Sequence, residues 1–144
     1  LQPLQQDSSV DCVVLAVHIV HEAQFRNPDT VKIVHNVAGD VLYTSRSPIP
    51  YCTQLTPEVG ARRICGILAF RWQFLRKFTE MPESHLELME SCDSNRICGN
   101  GFKQRIAPYP FVESFSVDRL DDIHVVESFM PKDPFWCQYG KRVI

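Results

Sequence analysis

Apolar positions along the 144-residue chain fall into short runs separated by turn residues rather than into long stripes. Cys12 to Val20 is nearly unbroken and predicts a strand. Two further runs, Val31 to Asn36 and Val41 to Thr44, flank Ala38-Gly39-Asp40 and predict a pair of short strands joined by a glycine turn. Ile64 to Phe70 reads as a fourth strand. Trp72 to Phe78 then changes to helical spacing, with Phe74, Leu75 and Phe78 on one side. Ser84 opens a longer predicted helix. Its hydroxyl can cap the free N–H groups, and Glu87 three residues on completes a capping box. Leu86, Met89 and Cys92 form the expected buried stripe, and Gly99 and Gly101 stop the helix. Phe102 to Ala107 is a further strand, broken by Pro108 and Pro110. Glu113 to Val117 is short and extended. Asp118 is placed to cap a last helix in which Leu120, Ile123, Val126 and Phe129 recur every third residue, until Pro131 and Pro134 end it. Strands interleaved with helices over a single domain, 1–144, give the α/β class. There is no internal repeat or low-complexity tract.

Composition narrows this without naming an activity. A chain of this length can bury one core. Its formal net charge of −2 gives no reason to expect nucleic acid or an anionic membrane as partner. The longest apolar run, Cys12 to Val17, is too short to span a bilayer. No charged-then-apolar leader opens the chain; Leu1-Gln2-Pro3-Leu4-Gln5-Gln6 looks like the tail of a helix begun upstream. Of the six cysteines, Cys12 and Cys65 lie in apolar strand runs and Cys92 on the long predicted helix, with no C-x-x-C pair. Free thiols in a reducing cytoplasm are therefore expected, rather than disulfides or zinc.

Candidate chemistry gathers after the second hairpin run, in Ser45-Arg46-Ser47-Pro48-Ile49-Pro50. Two prolines spaced by one residue cannot sit in a central strand, so Arg46 lies where a strand gives way to rigid loop. A cation fixed there either receives an anionic ligand or pairs with a nearby carboxylate. Glu87, Glu90 and Asp93 lie three apart, as either a binding face or a solvated acidic one. Asp118 is either a helix cap or a metal ligand. His18 and His21 have the wrong spacing for a metal pair on a strand and read as structural.

The order β-run, glycine turn, β-run and S-R-x-P-I-P resembles the 3-deoxy-manno-octulosonate (Kdo) cytidylyltransferases, the CMP-Kdo synthetases. Phe25-Arg26-Asn27-Pro28 with Val31-Lys32 resembles that family's F-x-N-P…V-K. Cys65-Gly66-Ile67-Leu68-Ala69-Phe70-Arg71 resembles its G-I-Y-A-F-R strand. Leu86-Glu87 to Arg96, with Gly101, resembles a helix ending in a leucine-arginine pair and an N-G turn. Ser116-Val117-Asp118 to Asp122 resembles V-D-T-P-E-D-L. The likeness is colinear from about Val13 to the C-terminus.

The resemblance implies a nucleotide-diphospho-sugar transferase-like, Rossmann-like mixed sheet. It implies transfer of a cytidylyl group from CTP to a Kdo-type sugar acid, with release of pyrophosphate, in lipopolysaccharide biosynthesis. It implies Mg²⁺ bound in part by Asp118, a sugar acid met by Arg46, Glu90 and Asp93, and a homodimer contact around Pro48 to Thr56. Two departures stand out. Asp93-Ser94 replaces the family's glutamate-glutamine pair, and Ile64 and Leu68 replace a histidine and a tyrosine. Either a related acid is bound, such as an amino-substituted octulosonate, or the site has decayed. The nucleotide-binding half, with its basic glycine loop and Q-G-D-E-P segment, has no counterpart; Arg62-Arg63 follows no strand–glycine turn. The chain thus resembles the C-terminal half of such an enzyme, expected to be inactive alone. The alternative is a non-catalytic α/β module that dimerises or binds an acidic sugar.

Overall fold

The computed structural model describes residues 2–111, 115, 117 and 119–139. They divide into a unit running to Val112 and a second from Glu113 onward. In the first, α1 (Gln2–Gln6) precedes β1 (Cys12–His18), α2 (Glu22–Arg26), β2 (Lys32–His35), β3 (Val41–Ser45), a 3-10 turn (Pro57–Val59), β4 (Arg62–Phe70), α3 (Trp72–Glu80), α4 (His85–Glu90), α5 (Ser94–Gly99) and β5 (Gln104–Tyr109). The five strands form one mixed sheet in the order β3-β2-β4-β1-β5. β1 is antiparallel to β4 and parallel to β5, so the α/β reading holds.

β1 lies between two neighbours, and its side chains are buried on both faces: Cys12, Val14 and Ala16 are at 0% exposure and Val13 and Val17 nearly so. That is why its sequence is continuously apolar rather than alternating. On one face Val14 and Ala16 meet Ile33, Val41 and Ile106. On the same face, nearer the start of the strand, Cys12 meets Phe74 and Ile97, with Phe70, Phe78 and Phe102 packed around them. α3 buries the side expected of it, through Phe74.

The β2–β3 hairpin forms as its sequence predicts. Asn36 Oδ1 accepts from the N–H groups of Ala38 and Asp40, both at 2.9 Å. Gly39 takes φ +84°, which a side chain would disfavour. The hairpin stays beside β4 for only two registered pairs, Lys32↔Arg63 and Ile33↔Arg62. Its turn then reaches β5: Asp40 bridges Arg105, and Ile106 N–H donates to Gly39 O at 2.8 Å. β4 carries a bulge where Leu15 of β1 stands opposite Cys65, Gly66 and Ile67, with Gly66 at φ +62°.

Three expectations change. The long helix from Ser84 is two helices. The Ser84–Glu87 capping box is present, but Ser91 turns to φ 48°, ψ 49° and α5 starts afresh at Ser94. Leu86 and Met89 are therefore exposed, only Cys92 of the stripe is buried, and Cys92 lies between helices rather than on one. β5 runs through Pro108 to Tyr109, because at the outermost position of the sheet a missing N–H breaks no ladder. Finally, Arg62 and Arg63 belong to β4.

Cys12, Cys52, Cys65, Cys92 and Cys98 are free thiols. Burial pushes Cys12 up to about 12 and Cys98 up to about 11. No helix among the described residues is long and apolar enough to cross a membrane.

The second unit holds α6 (Leu120–Phe129), a 3-10 turn (Met130–Lys132) and α7 (Trp136–Tyr139). The N-cap of α6 is Arg119, whose N–H donates to Asp122 Oδ2 at 2.8 Å. Phe129 and Phe115 stack at 4.2 Å. Asp118 and most of the expected extended stretch Glu113 to Val117 lie outside the described residues.

Candidate functional site

The exit of β3 is held by a polar cluster that ties strand, loop and helix together. Lys32 is at 0% exposure. Its Nζ donates to the carbonyls of Asn27, Thr30 and Arg46, one for each ammonium proton. Burial and the Arg46 charge hold Lys32 below the ordinary lysine value, with Glu90 opposing them.

Arg46 stands at the strand end, as its prolines predict. Its guanidinium faces main-chain carbonyls: Nε to Glu90 O at 2.9 Å, Nη1 to Pro28 O at 3.0 Å and Nη2 to Ser91 O at 3.3 Å. The Glu90 carboxylate takes the Arg46 N–H at 2.8 Å, Ser45 Oγ at 2.8 Å and Tyr43 Oη at 2.5 Å. Burial alone would raise Glu90, but Tyr43, the Arg46 N–H, Ser45 and the Arg46 charge outweigh it and hold it below the usual carboxylate value. Arg46 and Glu90 are thus brought together, and they fix the left-handed corner at Ser91.

That corner opens onto an open groove of about 600 Å³, lined by Val31, Ile64, Gly66, Leu68, Glu83, Glu87, Leu88, Ser91, Cys92 and Asp93. Its size is that of a small-molecule site. The β4 bulge sets Ile64 and Leu68 in it, and the break between α4 and α5 sets Asp93 in it. These three positions, far apart in sequence, are among those at which the sequence departs from the pattern it otherwise resembles. Glu83 and Asp93 are exposed, and no lining residue is basic. Glu87 is buried and clamped by Arg96, Nε to Oε2 at 2.7 Å and Nη2 to Oε1 at 2.5 Å. Glu87, Glu90 and Asp93 therefore do not form one face: Glu87 and Glu90 are internal anchors, and only Asp93 meets the groove as an exposed carboxylate.

Sequence reasoning overlooked Lys32, Tyr43 and Asn95. Asn95 Oδ1 accepts from Thr44 N and Oγ1, and its Nδ2 donates to Thr44 O at 3.0 Å. A lysine inside an apolar run was the available signal for Lys32; nothing local marks Asn95. His18 pairs with Arg62 at 2.8 Å and His21 packs edge-on against Phe111, both structural contacts. Burial, then the Arg62 charge, lowers His18. Among the described residues no group of three or more His, Cys, Asp or Glu could hold a metal ion.

Comparison with known proteins fits this geometry. The family model described as cytidylyltransferase matches residues 1–106. A 3-deoxy-manno-octulosonate cytidylyltransferase of Oleidesulfovibrio alaskensis is 34% identical over 126 residues, covering 88% of this chain and 50% of that protein. One from Nitratidesulfovibrio vulgaris is 39% identical over 126 residues, covering 83% and 48%. A solved structure of CMP:2-keto-3-deoxy-manno-octonic acid synthetase complexed with CTP matches with a TM-score of 0.77 and 30% identity, over 91% of this chain and 53% of that one. The chain spans about half the length of the curated relatives it matches. With the family model covering most of its length and a mixed sheet shared with a CTP-bound synthetase, the chain belongs to the cytidylyltransferase family.

Proposed function

We propose that this chain supplies the sugar-acid side of cytidylyl transfer. In that reaction the anomeric hydroxyl of a Kdo-type acid attacks the α-phosphate of CTP and pyrophosphate leaves. The observation carrying the reading is the convergence of Ile64, Leu68 and Asp93 on one groove of small-molecule size. Lys32, Arg46 and Glu90 position the corner that carries Asp93, through the bonds at Ser91 O and Glu90 O.

CTP is assigned to the half of the relatives that this chain does not cover. Mg²⁺, when bound, neutralises charge on the phosphate oxygens. In a complete enzyme it is assigned to Asp118 together with ligands from the nucleotide half and the phosphates. A homodimer through Pro48 to Thr56 is part of the same proposal. The chain alone is expected to release no pyrophosphate from CTP, Mg²⁺ and the sugar acid. Adding the nucleotide half of a relative is expected to restore release. Turnover by the unsupplemented 144-residue chain would contradict this reading.

The lining favours an amino-substituted octulosonate. Carboxylates at Glu83 and Asp93, over aliphatic Ile64 and Leu68, attract an ammonium group and offer nothing cationic to a carboxylate. Titration calorimetry is expected to show 8-amino-Kdo binding about fivefold tighter than Kdo, the size of one exposed ion pair of roughly 1 kcal/mol. Asp93→Asn should erase the preference with little change in Tm. Equal affinities for the two acids in the unaltered chain would overturn the amino-sugar assignment.

A further inference from the structure

The lining of the groove is of two kinds. Its polar side chains, Glu83, Glu87, Ser91, Cys92 and Asp93, all come from the stretch that holds α4 and the turn into α5. Two of them are already engaged. Glu87 is held by Arg96 and takes the Ser84 N–H, and Cys92 Sγ accepts from Thr44 Oγ1 at 3.3 Å. Glu83, Ser91 and Asp93 remain, all exposed.

The sheet contributes no polar side chain. Val31, Ile64 and Leu68 are aliphatic, and Gly66, between the last two, has no side chain. Ile64 and Leu68 pack against the core of Val14, Ala16 and Ile33, which holds them in place. Val31 is tied to Ile64, whose N–H donates to Val31 O at 3.0 Å. Leu88 of α4, 58% exposed, adds a fourth aliphatic group. A fixed aliphatic floor thus shares the groove with a rim of two carboxylates and one hydroxyl.

Such a floor selects against hydroxyl groups. A polyhydroxy acid lying on it sets hydroxyls against methyl groups, where each gives up water and finds no partner. A site built to hydrogen-bond a hydroxyl does the opposite and rejects the analogue that lacks it.

We propose that the acid fitting this groove is deoxygenated where it meets Val31, Ile64, Leu68 and Leu88: one hydroxyl of the Kdo skeleton, other than the anomeric one, is replaced by hydrogen. The anomeric hydroxyl, which reacts, is untouched. The inference rests on the sugar-acid reading and names its substrate class more closely. It does not depend on the amino group, which concerns the carboxylates of the rim.

Titration calorimetry on the purified chain compares Kdo with each of its monodeoxy analogues that keep the anomeric hydroxyl. One analogue is expected to bind about tenfold tighter than Kdo, below the roughly hundredfold that separates such isosteres in a closed apolar pocket. Leu88→Asn and Ile64→Thr each put a polar group into the floor, and each is expected to cut that gain by more than half. Leu88 is exposed, so its replacement leaves the fold in place whatever Ile64→Thr does. Analogues that all bind no tighter than Kdo overturn the inference, as does a gain that survives whole in Leu88→Asn. Binding of no acid at all overturns the sugar-acid reading and this inference with it. A deoxy gain that persists where 8-amino-Kdo shows no preference supports the inference and removes only the amino assignment.

Discussion

Glu87→Ala is expected to lower the unfolding free energy by about 3–5 kcal/mol, the cost of leaving one member of a buried ion pair without its partner. Glu87 and Arg96 have side chains only 9% and 16% exposed. Their contact is a two-pronged fork, and the pair reaches further: Glu87 Oε2 takes the Ser84 N–H at 3.1 Å, and Arg96 donates to Met81 O at 3.2 Å and lies over the Phe78 ring at 4.9 Å. Truncation strands a guanidinium that α5 cannot turn out to water. For a unit of this size the loss should appear as a drop in Tm of roughly 10 °C or more. Arg96→Ala should cost a similar amount, and an apolar replacement of both residues should recover part of it.

The pH response has a definite sign. The Arg96 hydrogen bonds hold Glu87 below 4.5 against the opposing effect of burial. Its contribution is therefore complete above the unfolded carboxylate value and is lost as pH falls through the lower folded one. Urea melts between pH 6 and pH 3 should show the acid loss in the parent and a shallower one in Glu87→Ala. A loss under 1 kcal/mol at neutral pH would show that water reaches the fork.

Asp118→Asn, in a preparation supplemented with the nucleotide half, is expected to cut cytidylyl transfer by about a hundredfold, the scale on which a lost electrostatic contact to the reacting phosphate is felt. Asparagine keeps the shape but not the hard anionic oxygen that Mg²⁺ selects. Tm should barely move, because asparagine caps a helix as well as aspartate does and the N-cap of α6 is Arg119. Asp121→Asn, within the first turn of α6, should retain most activity. Rates equal to the parent's in both variants would leave Asp118 without a metal role. Raising the Mg²⁺ concentration should partly rescue Asp118→Asn if the defect is in metal affinity.

What could be read from the sequence was local. The hairpin, its glycine turn, the proline-marked end of β3 and the Ser84–Glu87 box depend on residues within a few positions of each other, and all four are present. The break at Ser91 was hidden because serine carries no signal for a positive φ. The burial of Glu87 was hidden because its partner lies nine residues on, across that break. Leu86 and Met89 read as core by periodicity, yet the corner turns both to solvent. Arg46 posed a choice between ligand and carboxylate that its own neighbourhood could not resolve. Its guanidinium partners are carbonyls contributed by Pro28 and by Glu90 and Ser91, and only the fold brings those together. The groove was legible only as a set of departures from a family pattern, and geometry was needed to show that they share one wall.

The interior position of β1, between β4 and β5, also governs how the chain is made. Its parallel neighbour β5 begins only at Gln104. At the roughly 5–20 residues per second of ribosomal synthesis, the interval between the two strands is on the order of five to twenty seconds. Through that interval β1 has left the ribosome without β5, and until β4 follows from Arg62 on it lacks both neighbours, while the local β2–β3 hairpin can close within microseconds. A nascent chain of this kind is most exposed to misassociation before β5 arrives. Slow codons between Phe70 and Gln104 would lengthen that window, and a holding chaperone would act on β1 first.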